Sequence, residues 1–157
     1  MKRRTVLPLG IVMLGLGSAY LAAFGPHVLT DPLAGVLLTG FALSAVLMIV
    51  GGLVVSVPVG DRTIPWNVFV GIGDVLLAAV VTLSAIRSAI VVGDTASWVF
   101  AAAMLAGGSS IAWFGVQTVR DSRHVDLEAT PSSRRLVAIA LLVAVSVGSG
   151  AFVATGV

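Results

Sequence analysis

The sequence predicts an all-α fold: an integral membrane helical bundle of five transmembrane helices. Two observations carry this expectation. Of 157 residues, 58% are hydrophobic and 10% charged, with a mean hydropathy of +1.11. A soluble domain carries about 25% charged residues. A chain this short has too much surface for a larger core to explain the shortfall. The second observation is length. Five apolar runs each approach the roughly 20 residues needed to cross a hydrocarbon layer of about 30 Å at about 1.5 Å per residue.

The first run covers residues 6–24, after Lys2, Arg3 and Arg4. Basic residues before an apolar run also open secretory signals, and Arg3-Arg4-Thr5-Val6-Leu7 resembles a twin-arginine signal. The run is longer than a signal core of about 7–15 residues, and no Ala-x-Ala site follows it, Ala22-Ala23 being the nearest. A retained helix is therefore expected. Cleavage would leave four helices in the same orientation.

Gly25-Pro26 and Asp31-Pro32 bracket the first connection. The second run, 33–57, lies between Pro32 and Pro58 and carries no charge. Pro58, Gly60-Asp61 and Pro65 then mark a loop. The third run, 66–92, contains Asp74 and Arg87. Gly93-Asp94 is too short to be anything but the turn of an antiparallel hairpin, which leads into the uncharged fourth run, 95–119. A polar segment, 120–135, follows. Within it Thr130-Pro131 reads as an N-cap with proline at the first helical position, starting the uncharged fifth run, 136–157. The whole chain, 1–157, reads as one transmembrane domain.

Charge sets the expected orientation. One set of alternate connections holds Lys2, Arg3, Arg4, Arg62, Arg120, Arg123, Arg134 and Arg135; the other holds only Asp31, Asp94 and His27. Basic residues stay on the cytoplasmic side. The expectation is a multi-pass protein of the cytoplasmic membrane, N-terminus in and C-terminus out. Arginine outnumbers lysine eight to one, a bias of GC-rich genomes such as archaeal or actinobacterial ones. These basic residues flank apolar runs and orient them, so the pI near 9.9 points to no nucleic-acid partner.

The residue inventory excludes most chemistry. There is no cysteine, hence no disulfide, thiolate site or cysteine nucleophile. His27 and His124 fall on opposite sides of the membrane and share no metal. No nucleophile stands beside a base, and there is no carboxylate pair and no phosphate loop. The expectation is a protein that is not an enzyme, with no cofactor and no metal. Its partners are the lipid bilayer and itself or another membrane protein. The mixed-charge segment after Arg120 reads as a solvated connector.

Asp74 stands out. It lies eight residues into the third run, about 12 Å from its start. A carboxyl at that depth costs about 3 kcal/mol unless protonated, paired or hydrated. Folding the hairpin at Gly93-Asp94 places it near residues 110–113, with Ser109 and Ser110 a turn away. Gly51, Gly52 and Ser146 fall near the same level. The expected arrangement is a neutral Asp74 bonded to Ser109 or Ser110 and pinning two helices; the alternative is a small transporter or channel that uses Asp74. Gly71-x-Gly73 reads as a site of close helix contact. Arg87, about five residues from the far end, is expected to snorkel or to pair with Asp94 or Asp31. Small residues four apart (Ala140, Ala144, Gly148; Ser146, Gly150, Ala154), with Ala103 and Gly107-Gly108, suit helix packing. Tyr20, Trp66 and Trp98 sit where interfacial anchors do. Trp113 lies deeper and reads as packing.

A set of small and basic residues gives a resemblance. Gly51-Gly52 precede Arg62-Thr-Ile-Pro-Trp66; Gly107-Gly108 and Gly115 run into Val119-Arg120-Asp-Ser-Arg123. Over residues 10–123 this resembles the archaeal four-helix membrane region of sensor histidine kinases. In this sequence a fifth apolar run stands where the kinase would begin. The resemblance implies a stand-alone membrane sensing or interaction module without catalysis.

Overall fold

The computed structural model describes residues 3–120, with side chains from Val6 onward. The expected fifth helix, its Thr130-Pro131 start, the 121–135 segment, His124 and Ser146 lie outside the described residues.

Four helices form in chain order: α1 (Arg3–Phe24), α2 (Pro32–Leu53), α3 (Trp66–Val92) and α4 (Thr95–Val119). All four are long and apolar enough to cross a membrane. A 3-10 turn, Pro26–Thr30, joins α1 to α2. Asp31 caps α2, its Oδ1 accepting from the N–H of Leu33 at 2.9 Å and of Ala34 at 3.3 Å, with Pro32 at the first helical position. Asp94 caps α4 the same way, accepting from the N–H of Ser97 at 2.7 Å.

The second connection differs from the sequence reading. The apolar run 33–57 is not all helix: α2 ends at Leu53 and Val54 turns extended. Ser56–Val59 (β1) and Arg62–Pro65 (β2) then pair antiparallel, Ser56 opposite Pro65 and Val59 opposite Arg62. The expected loop is thus a β-hairpin. Its turn is Gly60-Asp61, with Gly60 at φ 58°, a conformation open to glycine at little cost. Hydropathy could not locate this boundary, because Val54, Val55 and Val57 are as apolar as the helix before them while β-branching suits them to a strand.

Packing follows chain order: α1 lies on α2, α2 on α3, and α3 on α4. The main core joins Val6 and Met13 of α1, Ala45 and Met48 of α2, and Val70 of α3. Glycines bring the backbones close. A Cβ on Gly10 would stand 2.8 Å from the Ala45 carbonyl, and one on Gly52 would stand 2.9 Å from the backbone of Leu7. Between α2 and α3, the buried Ser44 hydroxyl donates to the Gly73 carbonyl at 2.7 Å.

The α3–α4 hairpin turns on Gly93, which adopts the left-handed conformation (φ 76°, ψ 0°) and donates to the Ala89 carbonyl, a common helix C-terminus. Three pairs of small residues meet along it: Ala85 with Ala101, Ala78 with Gly108, and Gly71 with Gly115. They stand 8, 15 and 22 residues on either side of Gly93. The spacing of seven keeps one narrow face of each helix in contact along its length, as in left-handed helix pairs.

Candidate functional site

At the β-hairpin end of the bundle, α3 turns a row of polar and small residues toward α4: Asn67, Gly71, Asp74 and Ala78. Intervals of three and four place them on one face. Asn67 is buried, and its Nδ2 donates to the carbonyls of Thr118 at 2.9 Å and Val119 at 3.4 Å. Those carbonyls stand at the C-terminal end of α4, where the Arg120 N–H also turns back to the Thr118 carbonyl. Beside them the Thr118 hydroxyl is buried, with no hydrogen-bond partner among the described residues. One turn further along, toward the centre, Gly71 lies on Gly115.

Asp74 is half-buried against Gly115. A Cβ on Gly115 would stand 2.9 Å from the Asp74 Cβ and 2.6 Å from the Gly71 carbonyl oxygen. The missing side chain of Gly115 is therefore the space that Asp74 occupies. Gly73, next to it, points the other way, onto Ser44 and Met48 of α2.

The structure corrects the expected surroundings of the acid. Ser109 and Ser110 do not reach it. Both are exposed, and each hydroxyl donates to a carbonyl of its own helix: Ser109 to Leu105 at 2.7 Å, Ser110 to Ala106 at 3.1 Å. The depth expected for them was nearly right, but the phase was wrong, because α4 is turned by Ala101, Gly108 and Gly115 and the serines fall off that face. Trp113 is displaced by the same rotation: it is 64% exposed instead of packed inside. Gly51 is also off the level of Asp74. It meets Val70 and Trp66, about one turn nearer the β-hairpin, and Gly52 faces α1. Among the described residues no donor reaches the Asp74 carboxyl.

Arg87 sits near the opposite end of α3 and forms an ion pair with Asp31, not with Asp94. Asp31 divides its oxygens: Oδ1 caps α2 while Oδ2 takes the guanidinium Nη2. The Ala34 N–H, then that of Leu33, and the Arg87 charge together hold the Asp31 carboxyl below its usual range. The hydroxyl and N–H of Ser97 do the same for Asp94. Thirteen residues separate Arg87 from Asp74, about 20 Å along the helix, so the two charged groups of α3 form separate sites.

The sequence reading missed Asn67 and Thr118. A signal was present: Asn67 stands seven residues before Asp74 on the same face, at the start of an otherwise apolar run.

One family model covers most of the chain, the residues of this site included. Residues 1–131 match the model of the Family of unknown function (DUF7994). The chain belongs to this family. No curated protein and no solved structure matches it. The DUF7994 match takes in all four described helices, Asn67, Asp74, Arg87 and both capping aspartates; the apolar run 136–157 lies beyond it.

Proposed function

We propose that this chain is a small non-catalytic protein of the cytoplasmic membrane that works through helix–helix interaction, as a stand-alone sensing or interaction module. The observation that carries this reading is Asp74. It is a single acid within an apolar span, seated against a glycine, with no donor among the described residues. One carboxyl without a second acid or base does not make an acid–base pair. A polar group in hydrocarbon instead favours a hydrogen bond from another helix. That helix is the run 136–157, a second copy of the chain, or another membrane protein. The resemblance of residues 10–123 to the membrane region of sensor kinases supports the same reading.

Two experiments test it. Asp74→Asn keeps size and adds a donor, so stability and crosslinked association in the membrane should match wild type. Asp74→Leu should lose about 0.6 to 2 kcal/mol. In vesicles carrying a pH gradient, the wild-type protein should pass no more protons or cations than protein-free vesicles. Flux through wild type that disappears in a normally folded Asp74→Asn would replace interaction with transport.

For topology we propose five spans with the N-terminus inside. Arg62 and Arg120 at the hairpin end, against Asp31 and Asp94 at the other, support it. The chain has no native cysteine, so single cysteines report cleanly. His27→Cys, on the exposed 3-10 turn, should label from outside the cell and Asp61→Cys, at the hairpin tip, only after permeabilisation. The reverse pattern would overturn the orientation.

A further inference from the structure

A cavity of about 330 Å³ opens between α1, α2 and α3, at the end opposite the β-hairpin. Its lining is divided by chemistry. Leu16, Leu38, Phe41 and Val80 make an apolar floor, while Tyr20, Ser84 and Arg87 carry hydrogen-bond donors. Along α3 the step from Val80 to Arg87 is seven residues, about 10 Å, so the apolar part runs toward the middle of the span and the donors stand near its end. Tyr20 is four residues from the end of α1 and Arg87 five from the end of α3, the depth at which a lipid headgroup meets its chains. The ion pair with Asp31 engages one arm of the guanidinium, and arginine carries several further N–H donors in a planar fork suited to phosphate.

We infer that this cavity binds one anionic phospholipid, an acyl chain in the apolar floor and its phosphate on Arg87. The fit is to a molecule with an oxyanion at one end and a chain at the other, approaching sideways from the bilayer. Gly17 also lines the cavity, and a Cβ there would touch only the Phe41 ring, at 3.6 Å. A larger side chain at Gly17 therefore enters the cavity without striking backbone. The inference rests on membrane embedding. It does not depend on Asp74 or on which end faces the cytoplasm.

The test uses the full chain in neutral detergent, with native mass spectrometry and thermal unfolding as readouts. The probes are phosphatidylglycerol, diacylglycerol with the same chains, and inorganic phosphate. Wild type should retain one phosphatidylglycerol and bind diacylglycerol at least tenfold more weakly. Gly17→Leu should weaken phosphatidylglycerol at least tenfold, and Arg87→Gln should erase its advantage over diacylglycerol. Ser84→Leu fills the same cavity from an exposed position on α3 and replaces Gly17→Leu if that variant does not fold. Equal retention by wild type and the filled variant would overturn the site. So would diacylglycerol binding as tightly as phosphatidylglycerol, or inorganic phosphate alone stabilising the protein as much as the lipid.

Discussion

Gly115→Ala should destabilise the bundle by about 1–3 kcal/mol, the range for forcing an added carbon into a packed interface. The added Cβ would lie 2.6 Å from the Gly71 carbonyl oxygen and 2.9 Å from the Asp74 Cβ. The first of these is backbone and cannot swing aside. Either α4 moves away from α3, and the pairs Ala78–Gly108 and Ala85–Ala101 loosen with it, or Asp74 is pushed from its seat. Gly107→Ala is the matched control. It lies on the same helix, and a Cβ there meets nothing within 4 Å. Alanine is also the better helix former by about 1 kcal/mol, so this variant should equal or exceed wild type. Unfolding in graded denaturing detergent separates the two. Equal midpoints for both variants would mean that the α3–α4 contact is not held by small residues.

The second large effect is expected at Asn67. Asn67→Leu removes the side-chain donor that ties the Thr118 and Val119 carbonyls of α4 to α3. Each such bond contributes about 0.5–1.5 kcal/mol net, so losing both should cost about 1–3 kcal/mol. The damage should be local as well as global: α4 should fray, and trypsin should cut after Arg120 faster than in wild type. Thr118→Val tests whether the asparagine itself matters or only the polarity of the neighbourhood. The Thr118 hydroxyl has no partner among the described residues, so its loss should cost little. If Thr118→Val is as damaging as Asn67→Leu, the amide is not the group that closes α4.

Some of this was legible in the sequence. The ends of α3 and α4 were, because Pro65, Gly93 and Asp94 break an otherwise continuous apolar run with residues of strong backbone preference. The end of α2 was not, since Val54, Val55 and Val57 continue the apolar run past Leu53 and hydropathy cannot tell strand from helix. The approximate depth of Asp74 relative to α4 was legible from counting back from the turn. Its neighbours were not. In a soluble helix a polar face reveals the rotation; here every face is apolar, and phase had to come from small residues alone. The sequence pointed to Ala103 and Gly107-Gly108; of these Gly108 makes the contact, together with Ala101 and Gly115, seven residues to either side. The Arg87–Asp31 pair was one of two partners open to the sequence, and the cap on α2 decides it by holding Asp31 at the end of the helix beside α3.

The hairpin also has a property that belongs to its length and not to its composition. Because the three contacting pairs are all centred on Gly93, the two-residue connection works as a phase key. Lengthening it by one residue turns every position of α4 by about 100° relative to α3. Gly107 would then replace Gly108 opposite Ala78, a harmless exchange of one glycine for another. At the other two pairs Phe100 would arrive where Ala101 had been, and Phe114 where Gly115 had been. A single inserted codon at this turn would thus bring two aromatic rings into a seam that has no room for a methyl group at Gly115. Many substitutions near the turn leave that alignment intact, so the turn should tolerate changes of residue far better than changes of length.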